Sequence, residues 1–392
     1  MNILMVTGIF PPDRGGPASY VPRMAAALIA RGHRVEVLCL SDRLDHDDSA
    51  FGFPVRRLRR GIFWPTRILL TTLAVWRAAL RNQIVFVSGL GAESAVGALL
   101  AGGCPTVYKI VGDYAWERAV GRGAFSGTID EYQTAAKTPI LRFFDWVRTF
   151  PLQRARRIIV PSRYLQRIVS GWPVRAEKIH VVYNATPPVG DGPSAAATLP
   201  AWSGRTLLTV CRLVPWKGVD GLIRLVAQLP DTRLVIAGDG QIRGELSDIA
   251  TQTGVADRVI FLGDVPNREV AGYLRQADVF VLNSTYEGLP HVVLEAMAAG
   301  TPVIATDAGG TGEVVEHEAT GLLVPVGDAA ALQAAVERLW REPALGRQLT
   351  TEAARRLPAH FDFDAMVNAT EAVLQAAVKR SAGTALIGAK QT

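Results

Sequence analysis

The stretch that most constrains this chain runs from Asp278 to Ala305. Residues 278–282 form a strand-length apolar run, and residues 302–305 form another. Between them lie a Gly288-Leu289-Pro290 loop and a helical pattern that ends at Gly300. An apolar run of this length reads as a strand buried on both faces, as in parallel sheets. The whole is then a strand–loop–helix–strand unit. Its loop sets backbone N–H groups and a helix N-terminus at the carboxyl edge of a sheet, where anionic ligands bind. Glu287 stands in that loop. Glu295 is expected two turns into the helix, facing the same crevice.

The alternation extends over the whole chain. An apolar run from Ile3, a Gly/Pro loop, an amphipathic pattern to about Ala30 and a second apolar run from Val35 make a βαβ unit, whose crossover is expected to be right-handed. Further strands are expected near 84–87, 106–110 and 157–160. Residues 186–203 are rich in Pro, Gly and small residues and read as a linker. The alternation then restarts, with strands expected near 206–210, 233–237, 259–262, 279–282, 303–305 and 322–324. A chain of 392 residues with 49% hydrophobic content has enough for two cores. The fold class is therefore α/β. Two doubly wound domains, 1–185 and 204–363, are expected to face a central cleft, with a last helix over 364–380 packing back on the first.

Charge divides unevenly between the halves. Residues 1–185 hold 25 Lys/Arg against 13 Asp/Glu, and residues 186–392 hold 17 against 23. The first half therefore calls for an anionic partner: nucleic acid, an anionic lipid surface or a phosphorylated acceptor. Residues 55–81 concentrate the effect, with an arginine cluster beside Phe63 and Trp64. Pro65, Arg67 and Arg77 interrupt the apolar run, so it does not read as a transmembrane helix. A peripheral seat on an anionic membrane is one reading. A helix covering the sheet, with Trp76 in the core, is the other. Arg154, Arg156 and Arg157 read as a solvated helix end, and residues 121–137 as an acceptor-side loop. Cys39, Cys104 and Cys211 show neither a disulfide framework nor a zinc spacing, and the N-terminus lacks a basic leader, so a cytoplasmic setting is expected.

Three further clusters carry chemistry. Gly15 and Gly16 close the loop after the first strand, where paired glycines let backbone approach an anion. Arg212 and Lys217 follow the first strand of the second half and suit a diphosphate, one as a fork and one as a mobile charge. Carboxylates suit neutral hydroxyl-rich ligands and amides suit phosphate, so a sugar nucleotide matches both halves of the 287–295 segment. Asp113, after the strand near 106–110, is placed to accept a hydrogen bond from a sugar or acceptor hydroxyl, or to act as general base. A helix N-cap is its structural alternative. Lys109 and Glu117 nearby read as structural.

In this order, G-G after strand one, R-x4-K-G after the linker and E-G-L-P-H-V-V-L-E with its following E-A-M-A-A-G-T-P-V-I-A resemble the retaining glycosyltransferases of family four, which have the GT-B fold. The resemblance covers nearly the whole chain. It implies that Gly16 touches the donor diphosphate through its backbone and that Arg212 and Lys217 neutralise it as it leaves. Glu287 would contact the transferred sugar, with Gly288, Leu289, Pro290, His291 and Val292 holding phosphate through main-chain amides. Glu295 would bind the ribose and Val265 would lie at the base. Many members carry a histidine where this chain has Gly112-Asp113. No metal cofactor is expected, because the acidic candidates, Asp45 to Asp48 and Asp362 with Asp364, sit on a polar loop and before the last helix. The expected activity is transfer of a hexose-type sugar from a nucleoside-diphosphate sugar, a UDP-sugar first and GDP-mannose next, to a glycan, lipid-linked or small-molecule hydroxyl. An epimerase or phosphorylase of similar architecture is a second reading. A non-catalytic sugar-nucleotide- or nucleic-acid-binding module is a third, and the Arg212, Lys217, Glu287 and Glu295 set argues against it and against a nucleic-acid partner.

Overall fold

The computed structural model describes residues 1–13, 15–186 and 197–385. It separates into two compact units that divide at Tyr183/Asn184 and at Phe363/Asp364, the C-terminal helix belonging with the first.

The first unit is built on a seven-stranded sheet: β1 (Asn2–Thr7), β2 (Arg34–Ser41), β3 (Val55–Arg59), β4 (Ile84–Ser88), β5 (Thr106–Lys109), β6 (Arg157–Val160) and β7 (Ile179–Val181). Their order is β3-β2-β1-β4-β5-β6-β7, all parallel. Leu4, Val6, Val85, Val87 and Ile158 on one face meet Ala74, Val75, Ala98, Leu152 and Leu165 of the covering helices. The near-continuous apolar strands follow from this, since helices cover both faces of a parallel sheet.

The second unit carries a six-stranded parallel sheet of β8 (Arg205–Val210), β9 (Thr232–Ala237), β10 (Val259–Gly263), β11 (Val279–Leu282), β12 (Val303–Thr306) and β13 (Leu322–Val324). Here the order is β10-β9-β8-β11-β12-β13. In both sheets the order reverses beside the first strand, between β1 and β4 and between β8 and β11. Loops leaving the strands on either side of such a reversal splay apart and open a crevice at the carboxyl edge.

Three expectations change. The stretch 55–81 is not one element: residues 55–59 are the edge strand β3, and a helix follows at Trp64–Ala79. That helix buries Thr71, Thr72, Ala74, Val75, Ala78 and Ala79, so Trp76 lies half-buried at the margin of the core instead of inside it. The short strand β7 was also unforeseen. Of the expected linker, residues 187–196 lie outside the described residues, while its last part packs on the second unit. There Leu199 N donates to Gln276 Oε1 at 3.0 Å, and Arg233 NH1 donates to Pro200 O at 2.6 Å.

The last helix, Phe363–Ala385, returns to the first unit. Glu371 takes His33 Nε2 at 2.9 Å and Arg31 NH1 at 3.1 Å, and Arg31 also pairs with Asp364 at 3.5 Å. Among the described residues no helix is long and apolar enough to cross a membrane.

Candidate active site

In the second unit the loops after β8 and β11 are joined edge to edge. The β8 loop ends in a single helical turn, Pro215–Lys217, closed by Gly218 at φ 59°. A Cβ at Gly218 would lie 2.2 Å from Asn283 O, so both the left-handed backbone and the close approach require glycine. Asn283 Nδ2 donates to Gly218 O at 2.8 Å, and Thr285 N donates to Trp216 O at 2.8 Å. These bonds bring Lys217 Nζ to Glu287 Oε1 at 2.5 Å. Ser284 Oγ donates to the same oxygen at 2.6 Å. Thr306 Oγ1 ties Ser284 O to the end of β12, and Gly310 N donates to Glu287 O at 2.9 Å.

The expectation had divided these two charges, Lys217 to the diphosphate and Glu287 to the sugar. The structure joins them, with side chains only 17% and 10% exposed. At that burial an isolated carboxylate would be costly, and the ammonium and hydroxyl offset the lost hydration. Arg212 stands on the same β8 loop, exposed, with its guanidinium 5.7 Å from the Trp216 ring. The helix His291–Ala298 begins directly after Pro290, which offers its backbone no side-chain cap. Glu295 is therefore one turn into the helix, not two, and is half-buried. Gly288, Leu289 and Pro290 are buried, His291 and Val292 are half-buried, and Val265 is half-buried two residues beyond β10.

Sequence reasoning missed Ser284, Asn283 and the Gly309-Gly310 turn. A serine three residues before Glu287 was a readable signal, as was a G-G dipeptide four residues after the apolar run that ends at Ala305. What Asn283 and Gly310 grip was not readable, because Gly218 and Glu287 lie on loops that follow other strands.

In the first unit, Gly15 at φ 129° leads into the helix Gly16–Ala30, and Gly15 supplies no side-chain cap. Across the sheet reversal, a Cβ at Gly89 would meet Gly8 N at 3.0 Å, so the loops after β1 and β4 touch through backbone. Two arginines expected on a basic surface patch hold this loop instead. Arg57, its side chain 3% exposed, donates to Pro11 O at 2.6 Å and forks onto Asp48 at 2.9 and 2.6 Å. Arg60 pairs with Asp13 and Asp42 and donates to Leu40 O at 3.1 Å. Asp48 is accordingly held below the usual carboxylate range: burial opposes this, and the Arg57 bonds outweigh it.

Asp113 requires correction. It was expected to face a ligand as an acceptor or general base, but it is 0% exposed. Its Oδ1 accepts from Ala115 N at 2.9 Å and Trp116 N at 3.3 Å, capping the helix Tyr114–Gly121. Its Oδ2 accepts from Arg148 NH1 at 2.7 Å and Gln133 Nε2 at 3.0 Å. Both oxygens are committed to protein donors, which leaves none for a substrate proton. Asp113 is the joint where three helices of the first unit meet. Lys109, read as structural, is 5% exposed with its ammonium 4.0 Å from the Tyr20 ring centre, and burial pulls its pKa down to about 7.

Comparison with known proteins decides the family. The glycosyl transferases group 1 family model matches residues 200–356, and the glycosyl transferase 4-like domain matches residues 15–185. The chain is a family-four GT-B glycosyltransferase. This glycosyltransferase is 39% identical to the lipopolysaccharide core biosynthesis glycosyltransferase LpsD of Rhizobium meliloti, over 40% of this chain and 46% of that protein. It is 26% identical to an uncharacterized glycosyltransferase of Methanocaldococcus jannaschii, over 97% and 99%. The match thus spans less than half of the Rhizobium relative and nearly all of the archaeal one. Among solved structures, sucrose-phosphate synthase from Thermosynechococcus elongatus superposes with a TM-score of 0.78 at 25% identity, over 95% of this chain and 98% of that one. Anabaena HepE, in complex with UDP and glucose, gives 0.75 at 22% identity, over 95% and 99%, a likeness of fold.

Proposed function

We propose that this glycosyltransferase moves a hexose-type sugar from a nucleoside-diphosphate sugar, with a UDP-sugar the first expectation and GDP-mannose the second, to a hydroxyl of a glycan, lipid-linked or small-molecule acceptor. The observation that carries the reading is the Lys217–Glu287 pair at the reversal point of the second sheet. A site that pairs its own cation and anion suits a ligand that brings both charge and hydroxyls. The diphosphate draws Lys217, with Arg212 as the second cation, and releases Glu287 to the sugar hydroxyls. Ser284 keeps hold of Oε1 meanwhile, so the carboxylate keeps its orientation and offers Oε2. Amides around Leu289 to Val292 take the phosphate, Glu295 the ribose and Val265 the base, and the family resemblance assigns the backbone at Gly15 and Gly16 to the donor diphosphate.

The family resemblance supports retention of configuration, with the acceptor attacking from the face that the diphosphate leaves. Such a step rests on leaving-group stabilisation and positioning. Arg212 and Lys217 supply the charge, and no metal enters the proposal. A lipid-linked acceptor is favoured by Phe63 and Trp64, 71% and 62% exposed on an arginine-rich segment of the first unit.

A thermal-shift panel of UDP, GDP, ADP and dTDP tests the donor, since a ligand of the folded state raises the midpoint by mass action. UDP is expected to give the largest rise, and no rise with any of the four would overturn the donor reading. Turnover retained in excess chelator is expected, and its abolition would overturn the metal-free step.

A further inference from the structure

Arg154, Arg156 and Arg157 do not form the simple solvated helix end that their sequence suggests. Arg154 closes the helix Pro139–Arg154, while Arg157 opens β6. Together with Arg175, Glu177 and Lys178, the residues that lead into β7, they line a cavity of about 320 Å³. It lies at the amino edge of the sheet, opposite the carboxyl edge that carries the Gly15-Gly16 loop. Five cations thus face one concavity with a single carboxylate, and that one is 63% exposed and only 3.8 Å from Arg175.

The pieces are held in place. Lys178 Nζ donates to Gln153 O at 2.9 Å, and Arg154 lies 4.0 Å from the Phe150 ring centre. Arg157 NH1 reaches Arg156 O at 3.3 Å, yet Arg157 Nε is buried with no hydrogen-bond partner. A buried guanidinium N–H without an acceptor is uncommon and costly. The local field is positive as well: burial and then the charges of Arg175, Arg156 and Arg157 outweigh Glu177 and hold Lys178 below its ordinary pKa. Burial and Arg157 push His180 down in the same way. An anion with several acceptor oxygens would relieve the repulsion among the five cations. Arginine forks match phosphate oxygens especially well.

We propose that this cavity is a phosphate-binding site, separate from the donor site, that takes a phosphate or diphosphate group. The group belongs either to a dissolved phosphate compound or to an anionic lipid headgroup, and the same chemistry recognises both. At about 30 Å³ per water, the volume equals roughly ten waters, room for more than one phosphate group.

The probes are sodium pyrophosphate, followed by calorimetry, and vesicles of phosphatidylglycerol against phosphatidylcholine, followed by co-sedimentation. Arg156→Gln with Arg175→Gln removes two cations from exposed positions, and Arg156→Lys with Arg175→Lys keeps their charge. Arg212→Gln with Lys217→Gln serves as the donor-site control. The expected result is a pyrophosphate or phosphatidylglycerol affinity about tenfold or more weaker in the glutamine pair. The lysine pair should recover most of it, and the donor-site control should leave it in place. Loss with pyrophosphate identifies a soluble ligand, and loss with phosphatidylglycerol alone identifies a headgroup. Binding of both probes that ignores the glutamine pair, binding abolished by the donor-site control alone, or no binding of either probe overturns the proposal. Melting of each variant is followed in parallel. A glutamine pair that loses affinity while keeping the native midpoint separates the site from a folding defect. If that pair melts early, Arg175→Gln alone, at a side chain 77% exposed, carries the decision.

Discussion

Glu287 carries an ammonium and a hydroxyl on one carboxylate oxygen, which leaves the other for a ligand. If the carboxylate acts on the transferred sugar, Glu287→Gln should lower transfer roughly a hundredfold, the scale of one lost transition-state contact, with UDP affinity little changed. Ser284→Ala should lower kcat by roughly fivefold, about 1 kcal/mol for one hydrogen bond, and Ser284→Thr should recover part of it. Steady-state kinetics beside UDP titration checks both. Equal loss of UDP affinity and kcat would place Glu287 and Ser284 in general site structure instead. Asp113 belongs to a different class of residue. Asp113→Ala leaves Arg148, 8% exposed, without its closest partner, and should destabilise the protein by about 3–5 kcal/mol in a denaturant melt. A stable variant with abolished transfer would return Asp113 to the chemistry. The sequence supported both roles for Asp113, since a carboxylate before a helix at the carboxyl edge of a strand can cap or catalyse. The choice depended on Arg148 and Gln133, 35 and 20 residues further on.

At the scale of elements, the edge strand β3 holds the loop after β1. Arg57 reaches across β2 to Pro11 O, and Arg60 reaches Asp13 and Gly8 O. If the backbone at Gly15 and Gly16 contacts the donor as proposed, Arg57→Met should loosen that loop and raise the donor KM roughly tenfold, about 1.4 kcal/mol, with a smaller change in kcat. An unchanged KM, measured on a variant that melts normally, would show that the loop holds its shape without this contact. The segment 55–81 shows why elements resist reading one at a time. Its seven arginines look alike in sequence, but strand alternation puts Arg57 and Arg56 on opposite faces, and the Arg57 side chain is buried against Asp48 and Pro11 while Arg56 stays exposed. The long apolar run after them is likewise amphipathic around a helix, and only its inner face is buried.

At the scale of the whole molecule, the chain returns to its start. The C-terminal helix is fastened to the first unit by Glu371, whose pKa is lowered chiefly by the His33 hydrogen bond and further by Arg31. A carboxylate lowered on folding contributes stability that is present above its unfolded pKa, about 4.5, and is lost as pH falls through the folded value. Glu371→Gln should therefore lower the melting midpoint at pH 7, and the gap from the unaltered protein should close on acidification below about pH 4.5. A gap that stays constant across that range would mean the carboxylate charge does not hold the helix. Alternating apolar runs and helical patterns, the Gly/Pro-rich join and the Glu287–Glu295 segment determined from sequence alone that two parallel α/β sheets would form, and which loops would lie at their carboxyl edges. Those signals are local, carried by hydrophobic period and backbone permissiveness. Tertiary structure alone decided that Lys217 meets Glu287, that Asp113 is spent on Arg148, and that Arg154, Arg156 and Arg157 share one cavity with Arg175 and Lys178. Each of these is a meeting of side chains from separate strands and helices, and sequence spacing does not encode the distance between them.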